Sequence, residues 1–222
     1  MDQLTLSAVK HLVITGASGG LGKAIVEEFA AASWQIDAPT HDELDVTHPA
    51  AIQGYFNSRS VDLLVCAAGI IRDAPLSRLD EATWDEVLAV NYHGAAACAA
   101  AALPQMIEKQ AGHVIFLSSR SAIHPPRGQA AYATAKAALL GLTTSLAQRN
   151  GRHGVRVNAI LPGFLETAMT ESVAEKRRAE ILDDHVLGRF NTPATVARFI
   201  RHLQEELTHT SGQVFQLDSR IS

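Results

Sequence analysis

A chain of 222 residues with a net charge of -4 and 47% hydrophobic residues holds enough apolar material for one substantial core. The mild acidity, with both signs mixed along the chain, excludes a nucleic-acid surface of the usual basic kind. No stretch approaches the ~20 uninterrupted apolar residues of a membrane helix, and the start "MDQLTLSAVKHLVITG" lacks a charged segment followed by an apolar run, so a cytoplasmic protein off the membrane is expected.

Taken in order, "HLVIT" (residues 11–15) reads as a first strand, followed by the glycine-rich "TGASGGLG" (15–22) and the helical "GKAIVEEFAAA" (22–32). Between "WQIDAPT" (34–40) and "LDVTH" (44–48) there is no room for a helix and another full strand, so the first nucleotide-binding unit is expected to be trimmed there. "VDLLVCAA" (61–68) reads as a central strand, "ATWDEVLAVNYHGAAACAAAALPQM" (82–106) as a long helix, and "HVIFLSS" (113–119) as another strand. The helical "AYATAKAALLGLTTSLAQRN" (131–150), the strand "VRVNAILPG" (155–163), the helix "TPATVARFIRHLQEEL" (192–207) and the strand "GQVFQLD" (212–218) complete the pattern. With no linker or repeat, the expectation is an α/β fold: a Rossmann-type doubly wound parallel sheet, helices on both faces, one domain over residues 1–222, shortened after the second strand.

Two places carry chemistry. The glycine loop lies directly after a strand and before a helix, where backbone N-H groups and the helix dipole can receive a pyrophosphate. An ordinary glycine turn would explain the pattern alone; its position at the first strand-helix junction favours the phosphate reading. Tyr132 and Lys136 stand four residues apart on one helix face. A phenol with a pKa near 10 is a poor proton shuttle unless its anion is favoured, and a neighbouring ammonium does that. Ser119, at the end of the preceding strand, is placed to hold a substrate oxygen against the phenol. A half-exposed tyrosine with a solvated lysine is the bland alternative. Cys66 and Cys98 read as buried thiols, and the ten histidines show no ligand spacing, so no metal is expected.

Together these residues resemble the short-chain dehydrogenase/reductase family, with its TGxxxGxG loop, upstream serine and YxxxK pair. The resemblance runs over nearly the whole chain. It implies Ser119, Tyr132, Lys136 and Asn91 (in "VNYHG") as the catalytic group, the asparagine completing a proton relay to the lysine. It implies cofactor contacts from Gly16, Ser18, Gly19, Gly20, Leu21 and Gly22, and from Thr40 and His41 at the ribose end. Asp45 and Val46 are implied beside the adenine, Asp45 alternatively being a turn or capping residue. Ala67, Ala68 and Gly69 follow the central strand, Tyr132 and Lys136 reach the nicotinamide ribose, and Pro162, Gly163, Leu165 and Thr167 lie along the nicotinamide.

The sequence departs from the family twice. "CAAG" (66–69) replaces the usual NNAG, which questions the rigidity of that strand end, and Asp218, Ser219 and Arg220 replace the usual DGG. No carboxylate stands at Thr40, which favours NADP(H), with NAD(H) the alternative; Gly19 replaces the loop arginine of many NADP enzymes, and Asp37 and Asp42 lie nearby.

Several segments most resemble 3-oxoacyl-acyl-carrier-protein reductases of fatty-acid biosynthesis. The expected activity is thus reduction of a carrier-bound 3-oxoacyl thioester; oxidation of a small secondary alcohol or sugar and a non-catalytic nucleotide sensor are the alternatives. Residues 164–186 read as a substrate loop. Arg149, Arg152 and Arg156, or Lys176, Arg177 and Arg178, are candidate docking sites for an acidic carrier, solvated surface charge being the bland reading. A homo-oligomer, tetramer or dimer, is implied by the resemblance.

Overall fold

A computed structural model describes residues 9–221 of the chain. Six short strands form one parallel sheet: β1 (His11–Thr15), β2 (Gln35–Asp37), β3 (Leu63–Cys66), β4 (Gly112–Leu117), β5 (Val155–Leu161) and β6 (Val214–Gln216), in the order β2-β1-β3-β4-β5-β6. β1 and β3 are buried along their whole length, which explains why they read as continuous apolar runs without alternation. Strand order reverses between β1 and β3, and the crevice at their carboxyl ends is where such sheets accept ligands.

Helices cover both faces. α1 (Gly20–Ala31) and α7 (Pro193–Glu205) pack on the face formed by Leu12, Ile14, Ile115 and Ile160, with Phe29 and Ile200 fully buried. α2 (Pro49–Asn57), α4 (Ala95–Lys109) and α5 (Ala130–Asn150) pack on the other, over Val13, Leu64, Phe116 and Val157. α2 was not among the helices expected from sequence; its inward face is essentially Ile52 and Phe56, one turn apart, which is too little period to recognise. α6 (Glu175–Asp183) is a second unexpected helix, inside the expected loop, burying only Ile181.

No strand intervenes between β2 and β3, so the expected trimming leaves β2 at the sheet edge. Arg59 covers that edge: its Nε lies 3.0 Å from Asp37 and its guanidinium carbon 3.7 Å from the centre of the Tyr55 ring.

The long helix expected over residues 82–106 is interrupted. α3 (Glu81–Leu88), capped by the Asp80 carboxylate accepting from the Thr83 N-H at 2.7 Å, passes through a π-helical turn (Ala89–Gly94) before α4 resumes. The run Glu81–Lys109 is long and apolar enough to cross a membrane by composition, yet Cys98, Ala99, Ala102 and Met106 are packed against the sheet.

A polar network crosses the core beneath β6. His113 on β4 is fully buried; its Nδ1 lies 2.8 Å from Gln204 Oε1, and its Nε2 lies 2.9 Å from the Asn158 amide nitrogen. Since the amide oxygen only accepts and the amide nitrogen only donates, the ring is neutral with the proton on Nδ1. Arg156 donates to Gln204 Oε1 and to the carbonyls of Leu203, Gln204 and Leu207 at the end of α7. Burial foremost, with the Arg156 charge, pushes the His113 pKa down to about 3. Between that value and the ordinary 6.5 the unfolded chain binds the extra proton, so stability rises with pH through this window and is lost on acidification. At pH 5 the loss is about 2 kcal/mol relative to pH 7.5. Thermal melts across this range should show that slope, and His113→Gln, which takes no proton, should flatten it.

Candidate active site

At the end of β1 the chain turns at Gly16 with φ +72°, where a Cβ would lie 2.5 Å from the Ala68 nitrogen and 2.7 Å from the Ala67 carbonyl carbon. Only glycine fits there. A Cβ on Gly22 would likewise meet the Gly16 oxygen and lie 2.7 Å from Ala17 Cα. Ser18, Gly19 and Gly20 are exposed and Leu21 half-buried; no side chain caps the first turn of α1, so its N-H groups point outward at the switch point. A Cβ on Gly20 would come 2.8 Å from Thr167 Cγ2, which brings the segment after β5 against this loop.

The ends of β3, β4 and α5 meet beside it. Lys136 is 5% exposed and its Nζ donates to the Leu117 carbonyl at 2.9 Å, lying 5.6 Å from the centre of the Tyr132 ring. Ser118, which sequence reasoning did not single out, donates from Oγ to the Lys136 carbonyl at 2.8 Å. This bond fastens β4 to α5 and leaves Ser119 turned toward Tyr132. Ser119 Oγ accepts from the Ser121 N-H at 3.1 Å; Ser121 Oγ then donates to Gln129, and Gln129 to Asp73, each at 2.8 Å.

Asn91 sits fully buried in the π turn. Its amide nitrogen donates to the carbonyls of Ile70 and Val87, both at 2.9 Å, and its oxygen accepts from the Ile70 N-H at 3.3 Å. Gly69 makes room: a Cβ there would lie 2.7 Å from Asn91 Oδ1 and 3.5 Å from Lys136 Nζ. The wider π turn is what carries the asparagine inward, a common use of such turns.

The titrating groups depart from expectation. Burial pushes the Tyr132 phenol up to about 12, the Ser119 hydroxyl drawing it down and Asp73 adding to the rise. Burial pulls the Lys136 ammonium down to about 8. The causes of that rise are burial and Asp73, opposed by Ser119 alone, so the lowering of the phenol expected from Lys136 is not found.

The family described as short chain dehydrogenase matches residues 31–178. The chain belongs to that family. It is 33% identical to the 3-oxoacyl-[acyl-carrier-protein] reductase of Thermotoga maritima, over 96% of this chain and 97% of the relative, and 34% identical to that of Aquifex aeolicus, over 96% and 87%. Among solved structures it resembles a candidate NAD(P)-dependent gluconate 5-dehydrogenase from Beutenbergia cavernae, with bound NADP at low occupancy, at 30% identity, TM-score 0.90 and 95% coverage of both chains. An oxidoreductase of the short-chain dehydrogenase family works with NAD(P). The glycine cradle that any Cβ would fill, and the outward N-H groups at α1, fit such a dinucleotide.

The strand end questioned on account of "CAAG" is held by Thr15, whose carbonyl accepts from the Ala67 N-H at 3.2 Å and whose Oγ1 accepts from the Ala68 N-H at 3.3 Å. Gly163 has φ +86°, and its Cβ would lie 2.5 Å from Asp218 Cβ; the Pro162 carbonyl accepts from Asn191 at 3.2 Å. Leu165 is buried, and Thr167 opens a capping box closed by Thr170. Asp45 accepts from the Thr47 N-H and hydroxyl at 2.8 Å and lies 2.9 Å from His48, the turn role weighed from sequence. Val46 is buried where a Cβ on Gly94 would touch it, and His41 is exposed. Glu43 was missed: its carboxylate takes the Thr40 N-H at 2.8 Å and hydroxyl at 3.0 Å. Its only sequence signal was its place three residues after a threonine, the spacing of a local carboxylate turn.

Two cavities of about 430 and 460 Å³ flank the segment joining α6 to α7; His185, Phe190 and Asp218 line one, Glu166, Arg178 and Phe190 the other. Ser119, Tyr132 and Lys136 line neither. With the phenol protonated across the working range, a catalytic role for Lys136 predicts that kcat/KM for NAD(P)H-dependent turnover falls as pH rises through about 8. A profile flat to pH 10 would refute the assignment.

Proposed function

We propose that the chain reduces the carbonyl of a 3-oxoacyl thioester, presented on an acyl-carrier protein, by hydride transfer from NADPH. The observation that carries this reading is the chain of neighbours beside the glycine loop: Asn91 and Lys136 meet at Gly69, Lys136 lies 5.6 Å from the Tyr132 ring, and the Ser119 hydroxyl stands on the Tyr132 phenol. The relatives from Thermotoga and Aquifex support the substrate.

The nicotinamide, when bound, supplies the hydride. Gly16, Gly20 and Gly22, where a side chain would collide with the surrounding backbone or with Thr167, would hold the pyrophosphate, and Thr167 and Gly163 would hold the nicotinamide. Ser119 orients the carbonyl oxygen by hydrogen bond, and Tyr132, protonated at neutral pH, gives that oxygen its proton. Lys136 holds a proton behind the phenol and is near balance at pH 8, suited to resupply; Asn91 fixes the backbone at Ile70 that walls the relay.

Oxidation of a small secondary alcohol by the same groups in reverse is the second reading, favoured by the likeness to the gluconate dehydrogenase candidate. For carrier docking, Arg156 drops out, since it is committed to α7; Arg177 pairs with Glu180 at 2.9 Å and Arg178 with Glu166 at 2.5 Å. Lys176, Arg149 and Arg152 stay exposed and are the docking charges of this reading.

The preference for NADP(H) rests on Thr40 and on Asp37, whose carboxylate is engaged by Arg59 and by His11 at 3.3 Å. Glu43 limits it, because a carboxylate beside Thr40 repels a ribose phosphate. Glu43→Gln should lower KM for NADPH severalfold and leave KM for NADH nearly unchanged; equal changes for both would remove Glu43 from cofactor choice.

The reading as a whole is tested by NADPH oxidation with 3-oxobutanoyl-pantetheine. Tyr132→Phe should cut kcat by about 100-fold or more while NADPH still binds. A wild-type protein that binds NADPH and turns over secondary alcohols alone would shift the assignment to the second reading.

A further inference from the structure

A serine hydroxyl turns freely and serves as donor or acceptor, so the place of Ser119 alone does not settle what it offers a substrate. Its backbone is fixed, because the neighbouring Ser118 is bonded to the Lys136 carbonyl at 2.8 Å. The direction of its O-H is set separately. The Ser121 N-H donates to Ser119 Oγ at 3.1 Å, which fills a lone pair on the side of the turn Arg120–Ala122 and leaves the hydroxyl hydrogen for a group outside that turn.

The turn has its own anchor. Among the described residues, the only hydrogen bond from one of its side chains to another element is that of Ser121, whose Oγ lies 2.8 Å from Oε1 of Gln129, the residue immediately before α5. The Gln129 amide reaches on to Asp73, its Nε2 donating to the carboxylate at 2.8 Å. A carboxylate only accepts, so Asp73 decides which way the amide faces: nitrogen toward Asp73, oxygen toward Ser121, with Ser121 Oγ as the donor. Asp73 is exposed yet held, since the Ala74 N-H donates to the Gly128 carbonyl at 2.9 Å and Ile70 is bonded through both its N-H and its carbonyl to Asn91. A continuous path thus runs from buried Asn91, along residues 70–74, through Gln129 and Ser121, to Ser119. Ser119 and Asp73 both act on the phenol, the hydroxyl lowering its pKa and the charge raising it.

We propose that Gln129, oriented by Asp73, is a positioning residue that holds the Ser119 hydroxyl, through Ser121, to donate to the carbonyl oxygen beside the Tyr132 phenol. The inference rests on the hydride-transfer reading and deepens it by adding two residues that act through Ser119. A bond that orients a donor is felt when charge develops on the oxygen, so its loss falls on kcat and leaves the KM for the cofactor in place.

A double-mutant cycle between Gln129 and Ser119 tests this, on turnover of 3-oxobutanoyl-pantetheine with NADPH or, if that is the direction observed, of a secondary alcohol with NADP+. Gln129→Ala should lower kcat about tenfold in the wild type but less than about twofold in Ser119→Ala, with cofactor KM changed less than about twofold in both. A loss of equal size in both backgrounds, which a general loosening of the loop would give, overturns the proposal. Exchange of the pair is the second arm. Gln129→Glu sets a carboxylate against Asp73 and should cost about tenfold or more, whereas Asp73→Asn added to it supplies a donor for that carboxylate and should return most of the loss. A double variant no better than Gln129→Glu likewise overturns the proposal. Thermal melts accompany each variant, and if Gln129→Ala does not fold, the exchange decides alone. Tyr132→Phe keeps the two readings apart: turnover that persists there defeats the proton donor of the hydride-transfer reading and leaves the cycle to judge Gln129. Turnover lost there, with no coupling between Gln129 and Ser119, defeats Gln129 alone, and a wild type that turns over neither class of substrate defeats both.

Discussion

Lys136 holds its ammonium against the carbonyl of Leu117 in a site 5% exposed to water, while its own carbonyl accepts from Ser118. These two bonds, running in opposite directions, clamp the last turn of β4 to the first turns of α5. A buried ammonium is tolerated only where acceptors meet it, so α5 has little freedom to slide or rotate relative to the strand. Ser119 and Tyr132 are each one short step from the clamp, and their mutual placement follows from it. Burial also lowers the lysine pKa to about 8, so that in the proposed mechanism one group serves both as a fastener and as a proton store.

The opposite wall of the crevice depends on missing side chains. Gly69 lets Asn91 and Lys136 approach the same point, Gly16 lets β1 turn beneath Ala67 and Ala68, and Gly94 lets the π turn settle on Val46. The alanines of "CAAG" are compatible with this because Thr15 supplies the backbone hydrogen bonds at that strand end. Rigidity there comes from the neighbouring strand and from a helix asparagine, with no amide side chain of its own.

Much of this was legible in the sequence, for local reasons. Strands buried on both faces are unbroken apolar runs, and the glycine loop and the Tyr132-Lys136 pair have fixed spacing on single elements. α2 and α6 were not legible, since each contributes only one or two buried residues and their position is decided by partners far along the chain. The π turn reads as uninterrupted helix because its extra residue leaves the composition unchanged. Charge was legible as count but not as partnership: Arg156 counted as surface and turned out to bind the end of α7, and the phenol, expected to be lowered by the lysine, is raised by burial.

The network of His113, Asn158, Gln204 and Arg156 has a consequence for how the sequence can change. Each member satisfies a buried group of another, and Gln204 Oε1 serves both the ring and the guanidinium. Removal of one strands the rest, so most of the penalty falls on the first substitution, and a second within the set adds little. The four positions therefore behave in a double-mutant cycle as a single strongly non-additive unit. In descent they are free to be exchanged together for an apolar set, and constrained against drifting one at a time.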